Sequence, residues 1–461
     1  MTSLPPQPLS PLDGRYRAAV EQLGDSLSEA GLNRARVHVE VEWLAYLTEH
    51  SLLGGSPLGA AELASLREWA ASFGQAEIDA LAETERVTQH DVKAVEYLVR
   101  DRLEAQGLGR LAELTHVCCT SEDINNLSYA ITVKQAIASA WRPRFVAVVD
   151  ELERQAELYR DLAMMSRTHG QPATPTTLGK ELAVFVHRLR RQLRQIDAIE
   201  YLGKFSGATG TFAAHLAADP AVDWAAVSRE FVEGLGLSWN PLTTQIESHD
   251  WQAELYSRIA HANRILHNLA TDVWSYISIG YFRQIPVAGA TGSSTMPHKV
   301  NPIRFENAEA NLEISNALLD SLAATLVTSR WQRDLTDSSA QRNIGVALGH
   351  SVLALDNILR GLGQIDAAPD VLAADLDSNW EVLGEAIQTV IRAEVTAGRS
   401  TISDPYAALK ELTRGRRIGQ AELVEFVSSL EIGDEAKARL LALTPAGYVG
   451  VAAELVDCLR K

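Results

Sequence analysis

The sequence predicts an all-α protein with unusually long helices at its centre, and three features support this fold class. Long stretches lack both Gly and Pro, at 111–142, 246–279 and 303–344, which helices tolerate and turn-rich β folds do not. No segment shows the sustained alternation of a β-strand between hairpin turns. Apolar residues instead recur at helical spacing, tracing one stripe at Leu255, Ile259, Ala262, Leu266, Leu269 and Val273 and another at Leu312, Leu318, Leu322 and Leu326.

Gly and Pro divide the 461 residues into three predicted helical domains. The first, 1–109, ends at the glycines that flank Leu108. The second, 110–364, holds the longest uninterrupted stretches and is predicted to form a central bundle, and the third is 365–461. The apolar surface of such long helices has to be covered, so we expect a bundle within the chain and association between chains.

The charge balance and the cysteines indicate which partners to expect. The formal net charge is -17, and an acidic surface repels the phosphates of nucleic acids, so no nucleic-acid partner is expected. The three cysteines match no disulfide or zinc spacing. The first residues lack the basic and apolar regions of a signal peptide, and no apolar run reaches the length of a membrane span. These features predict a cytoplasmic protein without a membrane partner.

A Ser-rich segment at 292–302 is the first of four polar segments that separate the helical stretches and are candidates for chemistry. A glycine and a run of hydroxyl residues favour a mobile loop, and two prolines stiffen the end that leads into a helix. Lys299 and Asn301 add a cation and an amide, and backbone N–H groups at a helix start bind anions. Taken alone, the segment is also compatible with an ordinary surface loop.

A second segment, 166–175, contains His169 between Gly and Pro residues. A lone histidine is more often a hydrogen-bonded structural residue than a catalyst. A loop of this composition can nevertheless present an imidazole to a cavity, and an unperturbed pKa of about 6.5 suits proton transfer at neutral pH.

A third segment, 118–126, contains Thr120, Ser121 and Asp123. Thr120 or Ser121 is a plausible helix N-cap, and an acidic residue is favourable in the first turn that follows. A capping role alone would explain the segment.

The fourth segment, 329–342, gathers Arg330, Arg333 and Arg342 in an acidic protein. It is compatible with a solvated helix end, where surface ion pairs contribute little. It also supplies the local cluster of guanidinium groups that an anionic substrate would need, because arginine forks suit phosphate and carboxylate.

Two shorter segments, Asp13–Tyr16 and Thr88–Tyr97, would each be interpreted as a turn or a helix start if considered alone.

The string 292–302 resembles the signature of the fumarase/aspartase superfamily, G-S-S-x-M-P-x-K-x-N-P, whose members share a long-helix bundle and release fumarate or a close relative by β-elimination. Within that superfamily, several further strings are similar to the bacterial adenylosuccinate lyase branch. These are S-P-L-D-G-R-Y, H-D-V-K-A-V-E-Y, C-T-S-E-D-I-N-N, T-H-G-Q-P-A-T-P, M-P-H-K and R-W-Q-R-D-L-T-D-S. Gln89 departs from the pattern, because close relatives often carry Asn there.

The resemblance implies elimination of fumarate from adenylosuccinate, giving AMP, and from succinylaminoimidazole-carboxamide ribotide, giving AICAR, without a cofactor or metal. It implies that Ser293 is the general base, that His169 is the general acid, and that Glu306 hydrogen-bonds His169. The small-molecule nucleotide substrates would be bound by Arg15, Tyr16, Gln89, His90, Asp91, Thr120, Ser121, Gln245, Lys299, Asn301, Arg333, Ser338 and Arg342. The resemblance further implies a homotetramer in which three subunits build each site and the signature loop closes over substrate.

Three other interpretations remain at this point. The protein could be another lyase of the same superfamily, or an inactive helical scaffold that serves as an interaction protein. A metalloenzyme is the third, although the histidines are scattered and no H-E-x-x-H motif occurs.

Overall fold

The structure is a computed structural model that describes residues 8–286, 289, 296, 299–413 and 418–460. The predicted all-α class is confirmed, because long helices form most of the described chain. The helices are α1 Arg17–Leu27, α2 Glu29–Glu49, α3 Ala60–Ala71, α4 Gln75–Thr88, α5 Asp91–Ala105, α6 Ser121–Ala136, α7 Arg142–Leu158, α8 Leu178–Asp197, α9 Ala213–Ala218, α10 Trp224–Gly234, α11 Asp250–Ser278, α12 Ile303–Leu326, α13 Thr336–Gln341, α14 Ile344–Leu362, α15 Pro369–Asp377, α16 Gly384–Thr396, α17 Pro405–Thr413, α18 Gln420–Ser429, α19 Asp434–Leu441 and α20 Ala452–Leu455.

Short strands connect some of these helices, and each pairs with one other strand. They are β1 Ala163–Met164, β2 Arg167–Thr168, β3 Gln171–Pro172, β4 Thr176–Thr177, β5 Leu202–Gly203, β6 Ser238–Trp239, β7 Phe282–Gln284 and β8 Ile365–Ala367. The pairs β1–β4, β2–β3 and β7–β8 are antiparallel, whereas β5–β6 is parallel. Strands of two or three residues are too short to form the core of a sheet, and here they only fix the conformation of the connecting loops.

The longest helices follow the predicted apolar stripes. Helix α11 has 29 residues and α12 has 24. The stripe predicted for α11 is buried throughout. In α12 the prediction was wrong at one position, because Leu318 is only partly buried and Leu319 is buried instead. The buried set of α12, at Leu312, Ser315, Leu319, Leu322 and Leu326, keeps the three- and four-residue spacing of one helix face.

Two stretches without Gly or Pro are nevertheless interrupted. Between α5 and α6, His116 and Cys118 adopt left-handed φ values of 59° and 62°. Between α12 and α13, Trp331 has a φ of 54°, and Asp334 accepts hydrogen bonds from the backbone N–H groups of Arg330 and Thr336. Side-chain hydrogen bonds and strained residues therefore interrupt these two stretches where composition alone gives no warning.

The chain divides into two compact units, each assembled from separate segments. Unit 1 comprises Met1–Val146, Gln192–Leu266 and Ala308–Asp356, and unit 2 comprises the remaining segments, 147–191, 267–307 and 357–461. Helices α7, α8, α11, α12 and α14 each contain a unit boundary. The three consecutive domains stay a prediction.

Unit 1 has an apolar core between its first helices. Helices α2, α3, α4 and α5 supply its side chains, at Val37, Val41, Leu44, Leu66, Trp69, Leu81, Val95 and Val99. Burial of an aliphatic side chain of this size adds about 1.5–3 kcal/mol to the free energy of unfolding. A second, polar layer joins the long helices of this unit. There, Trp141 Nε1 donates to Ser351 Oγ at 2.9 Å, Ser351 donates to Asn263 at 2.8 Å, and Asn263 donates to Ser315 at 3.1 Å. Each side chain in this series of hydrogen bonds thus has a partner, as burial of a polar group requires.

Unit 2 has its own apolar core in the C-terminal helices. Helices α16, α18 and α19 bury Ile387, Ile391, Leu423, Val427 and Leu440 against one another. No single described helix is both long and apolar enough to cross a membrane; one pair, Asp434–Leu441 with Pro445–Arg460, meets the length and composition test only jointly, across a 103° bend.

Candidate active site

The N-terminus of α6 is held by a fully buried ion pair. Thr120 is the N-cap of the helix, and its backbone N–H donates to Asp123 Oδ2 at 2.8 Å. Asp123 Oδ1 lies 2.8 Å from Lys204 Nζ, and both side chains are inaccessible to solvent. The backbone N–H of Ser206 also donates to Asp123 Oδ1, at 2.9 Å. This arrangement confirms the predicted cap and fixes Thr120 and Ser121, the proposed carboxylate ligands, at a helix N-terminus that favours anions.

Helix α5 begins at Asp91, inside the segment for which a helix start was predicted, and Gln89 is the C-cap of α4. His90 is the N-cap, its Nδ1 accepts the Lys93 N–H at 3.2 Å, and its side chain is exposed. Asp91 Oδ2 lies 2.8 Å from Arg36 and 3.3 Å from Arg342. Burial alone would raise the pKa of Asp91, but Arg36, the backbone N–H of Val92 and Arg342 together outweigh burial and hold that pKa below its usual value. Asp91 is therefore a charged group that orients Arg342.

Arg333 is held by two carboxylates in the same unit. Its NH1 lies 2.5 Å from Asp337 and its NH2 lies 3.1 Å from Glu122. Asp337 also lies 3.2 Å from His249 Nε2, and it accepts the backbone N–H of Ser338 at 2.6 Å. The guanidinium side chain is only 17% exposed. It is thus positioned before any ligand arrives, which suits recognition of an anion.

These two arginine clusters form one continuous network, which we call the arginine network. Arg36 Nε donates to Asn125 Oδ1 at 2.9 Å, and Asn125 Nδ2 donates to Glu122 at 3.1 Å. Burial raises the pKa of Glu122, and the charge of Arg333 only partly opposes that shift. In chain order the members are Glu29, Arg36, Asp91, Glu122, Asn125, His249, Arg333, Asp337 and Arg342.

A cavity of about 430 Å³ lies next to Arg342 in unit 1. Its walls include Ser10, Leu12, Asp13 and Arg17, so the N-terminal segment that contains Arg15 and Tyr16 lies beside this end of the arginine network. The two predicted residues border the cavity wall rather than form it. The Arg15 guanidinium lies 5.9 Å from the centre of the Tyr16 ring, a distance at which a cation and an aromatic face attract.

Gln245 closes the loop that follows β6. Its side-chain amide donates to the Ala208 carbonyl at 2.9 Å. The facing glycine is constrained, because a Cβ on Gly210 would lie 2.2 Å from the Thr243 carbonyl and the φ of Gly210 is +76°. This segment of the predicted pocket is therefore fixed by backbone packing.

His169 lies in unit 2, at the tip of the β2–β3 hairpin. His169 and Gly170 have φ values of 54° and 75°, as the two central residues of a type I′ turn require. Such a turn projects the imidazole away from its own strands, and the side chain is exposed. The imidazole of His169 is therefore free to contact a group that lies outside the hairpin.

The remaining predicted residues also belong to unit 2. Glu306, in the first turn of α12, accepts a hydrogen bond from Trp274 Nε1 at 3.1 Å, and no hydrogen bond joins it to His169 within the described chain. Lys299 is exposed and Asn301 is half-buried. Ser293, the predicted base, lies outside the described residues.

Sequence reasoning missed a buried pair beside the third polar segment. The Glu40 carboxylate, at 0% exposure, accepts the His116 N–H at 3.1 Å and lies 2.6 Å from His116 Nδ1. Burial lowers the pKa of His116, but Glu40, together with Glu96 and Asp123, raises it by more, so the net shift is upward. Arg36 and Lys204 were missed as well. The available signal was a charge flanked by apolar residues, which must be paired if the segment is buried.

No group of His, Cys, Asp and Glu residues in the described parts of the chain has the geometry to hold a metal ion.

The amino-acid sequence is similar to known lyases along nearly its whole length. The chain matches the family model described as Lyase over residues 14–313 and the model described as Adenylosuccinate lyase C-terminal over residues 329–449. It is 48% identical to the adenylosuccinate lyase of Escherichia coli (strain K12) and 47% identical to that of Vibrio cholerae, over 98% of this chain and 98% of each relative.

Solved structures show the same fold at lower identity. The chain resembles a fumarate lyase from Mesorhizobium sp. BNC1 with a TM-score of 0.74 and 21% identity, covering 95% of this chain and 97% of the other. It resembles the 3-carboxy-cis,cis-muconate lactonizing enzyme of Pseudomonas putida with a TM-score of 0.73 and 20% identity, covering 96% and 97%. These structures confirm the fumarase/aspartase-like fold, and the full-length relatives and both family models show that the chain belongs to the adenylosuccinate lyase family.

Proposed function

We propose that this protein is an adenylosuccinate lyase of purine biosynthesis. It releases fumarate from adenylosuccinate, leaving AMP, and from succinylaminoimidazole-carboxamide ribotide, leaving AICAR. The observation that carries the proposal is the similarity to curated adenylosuccinate lyases along almost the whole chain. The arginine network supports it, because an acidic protein that binds a phosphorylated dicarboxylate needs guanidinium groups gathered in one place.

The binding roles follow the charges. Arg333 and Arg342, together with Arg15, Tyr16 and Ser338, bind the nucleotide and chiefly its phosphate. Thr120 and Ser121 bind a succinyl carboxylate at the N-terminus of α6, with Lys299 and Asn301 on the same part of the substrate. Gln89, His90, Asp91 and Gln245 complete the pocket.

The chemistry is a β-elimination across a carbon–nitrogen bond. A base removes a proton from the carbon beside one carboxylate, the electron pair forms the double bond of fumarate, and the carbon–nitrogen bond breaks. The intermediate carries a second negative charge on that carboxylate, so cationic and N–H donors must stabilise it. Ser293 is the base, Lys299 and Asn301 stabilise the intermediate, and His169 protonates the departing nitrogen.

The proton-transfer groups are shared between chains of a homotetramer in this proposal. His169 and Glu306 are both exposed in the single chain, and Glu306 is bonded to Trp274 instead. Exposed apolar side chains on the two longest helices, such as Trp274 at 41% and Ile314 at 47%, support association of these helices with a second copy. We also place the enzyme in the cytoplasm, in keeping with its free cysteines.

One assay tests the proposed function. Purified protein is incubated with adenylosuccinate, and AMP and fumarate are quantified by chromatography. We expect both products in equal amounts from the wild type, and a loss of several orders of magnitude in turnover for Ser293→Ala. Release of fumarate from argininosuccinate, with adenylosuccinate left intact, would instead assign the protein to another lyase of the superfamily. No product from any of these succinates would contradict the proposal.

A further inference from the structure

Arg36 is a buried cation with no part in the roles assigned above. It lies in the middle of α2 at 2% exposure, between Ala35 and Val37, which are buried as well. A buried charge is costly unless it is paired and hydrogen-bonded. Arg36 meets that condition by donating from three separate nitrogens: NH2 to Asp91 at 2.8 Å, Nε to Asn125 at 2.9 Å and NH1 to Asn33 at 2.8 Å.

Two of these partners lead directly to ligand-binding side chains. Asp91 also contacts Arg342 at 3.3 Å. Asn125 passes its own N–H to Glu122 at 3.1 Å, and Glu122 holds Arg333 at 3.1 Å. Arg36 is therefore one side chain away from Arg342 and two side chains away from Arg333.

Only an arginine can make this set of contacts. Its planar fork carries five N–H donors in fixed directions, whereas a lysine carries one ammonium at the end of a flexible stem. A lysine at this position could keep the charge opposite Asp91, but it could not also hold Asn125 in its present direction. The geometry thus separates the charge of Arg36 from its directional bonding.

We propose that Arg36 is a positioning residue that sets the spacing of the nucleotide-binding arginines. Its fork fixes Asp91 and Asn125 relative to each other, and through them it holds Arg342 and Arg333 at the separation that the phosphorylated substrate needs. This inference rests on the proposed function, and it adds a determinant of substrate affinity that itself touches no substrate.

The test is the kinetics of Arg36→Lys with adenylosuccinate. We expect kcat/KM to fall by about 100-fold, as for a binding group displaced by an ångström, with most of the change in KM and kcat lowered by no more than about fivefold. A merely structural role would reduce the folded fraction, lowering apparent kcat at unchanged KM. Thermal unfolding and circular dichroism measure that fraction directly.

A double-mutant cycle identifies the route. If Arg36 acts through Asp91, then Arg36→Lys should cost much less in an Asp91→Asn background than in the wild type. Additive effects would overturn that route. Should Arg36→Lys fail to fold, Asn125→Ser interrupts the other branch while Arg36 stays in place, and the same rise in KM is expected; an unchanged KM would overturn the proposal.

Arg67→Lys is the matched control. Arg67, in α3, forms two hydrogen bonds to Glu42, at 2.8 and 2.7 Å, outside the arginine network. Glu42 lies in α2, the helix that also contains Arg36. The kinetic constants of Arg67→Lys should stay at the wild-type values. Absence of turnover in the wild type would remove the proposed function and this inference together, whereas wild-type turnover with an unaffected Arg36→Lys would overturn the positioning role alone.

Discussion

The two units of the chain prepare their functional groups in opposite ways. In unit 1, the arginine network and the Asp123–Lys204 pair hold Arg333, Arg342 and the α6 cap against partners inside the same chain. In unit 2, the predicted acid His169 is at an exposed hairpin tip, and its predicted partner Glu306 bonds to Trp274 instead. One unit is preorganised, and the other presents His169 and Glu306, which do not contact each other in the described part of the chain.

In the proposed homotetramer, this difference indicates which functional groups depend on assembly. Binding of a phosphate and carboxylates needs fixed charges, which one chain can supply by folding. Proton transfer needs an acid that meets the leaving nitrogen, and a hairpin tip can meet a substrate held by another chain. On this view, folding builds the binding surface and assembly completes the catalytic one.

Among the predicted changes, replacement of His169 should have the largest effect on turnover. It tests whether the exposed group of unit 2 is needed for catalysis but not for folding. We expect His169→Gln to lower kcat by about 100- to 10,000-fold, the usual contribution of a general acid. The unfolding temperature should stay unchanged, because the side chain is exposed and no described contact depends on it. Steady-state kinetics and thermal unfolding measure the two quantities.

Mixing variants tests whether the catalytic surface is shared between chains. His169→Gln and Ser293→Ala, each inactive alone, should regain activity after joint refolding if each site takes these residues from different subunits. Sedimentation of the mixture checks that mixed oligomers have formed. Mixed tetramers that remain inactive would show that one chain supplies both residues, and the contrast between the units would lose its functional meaning.

The Asp123–Lys204 pair tests whether the buried charges of unit 1 contribute to its stability. Lys204→Met leaves a fully buried carboxylate without its cation, which should cost about 3–5 kcal/mol of unfolding free energy. Arg142→Met is the control, because Arg142 and Asp197 form a similar but exposed pair that should contribute less than about 1 kcal/mol. Urea denaturation of both variants measures the difference, and equal losses would show that burial of the α6 cap pair adds nothing to its rigidity.

The sequence predicted the fold class, the α11 stripe and the cap at Thr120, because these depend on local periodicity and local hydrogen bonds. It could not predict the interruption at His116 and Cys118, since no Gly or Pro marks a turn whose strain is stabilised by Glu40 from another helix. Nor could it predict Arg36 as a hub, because partners 55 and 89 residues away are set by packing. The roles predicted for individual residues came from the resemblance to a family, and the role of Ser293 as the base stays a prediction.

The Glu40–His116 pair gives the stability of unit 1 a pH dependence. The pKa of His116 is raised in the folded state, because Glu40, with Glu96 and Asp123 further away, outweighs burial. The stabilisation is therefore complete below the unfolded pKa of about 6.5, and it is lost as the pH rises through the higher folded pKa. His116→Gln should cost about 1–3 kcal/mol at pH 6, and less at pH 9.

His38, on the same helix as Glu40, is the control of opposite sign. Burial lowers the pKa of His38 despite the nearby Glu42, so the wild type gains stability relative to His38→Gln as the pH rises. Urea unfolding at several pH values checks both slopes. A His116→Gln difference that does not shrink with pH would show that the pair is neutral at every pH tested.

The smallest expected effect concerns Gln89, one of the residues proposed to complete the pocket. Gln89 ends α4 with a φ of 52°, a left-handed conformation that asparagine adopts at lower cost than glutamine. Gln89→Asn should raise the unfolding free energy by about 0.5 kcal/mol, although it gives up an exposed bond from the Gln89 amide to the Arg86 carbonyl. Near the end of α6, where helical backbone continues beyond Ala136, exposed Gln135→Asn should have the opposite sign, because asparagine has the lower helix propensity. If both variants are destabilised alike, then backbone conformation does not determine the preference at Gln89, and a contact with substrate is the better explanation for the asparagine of close relatives.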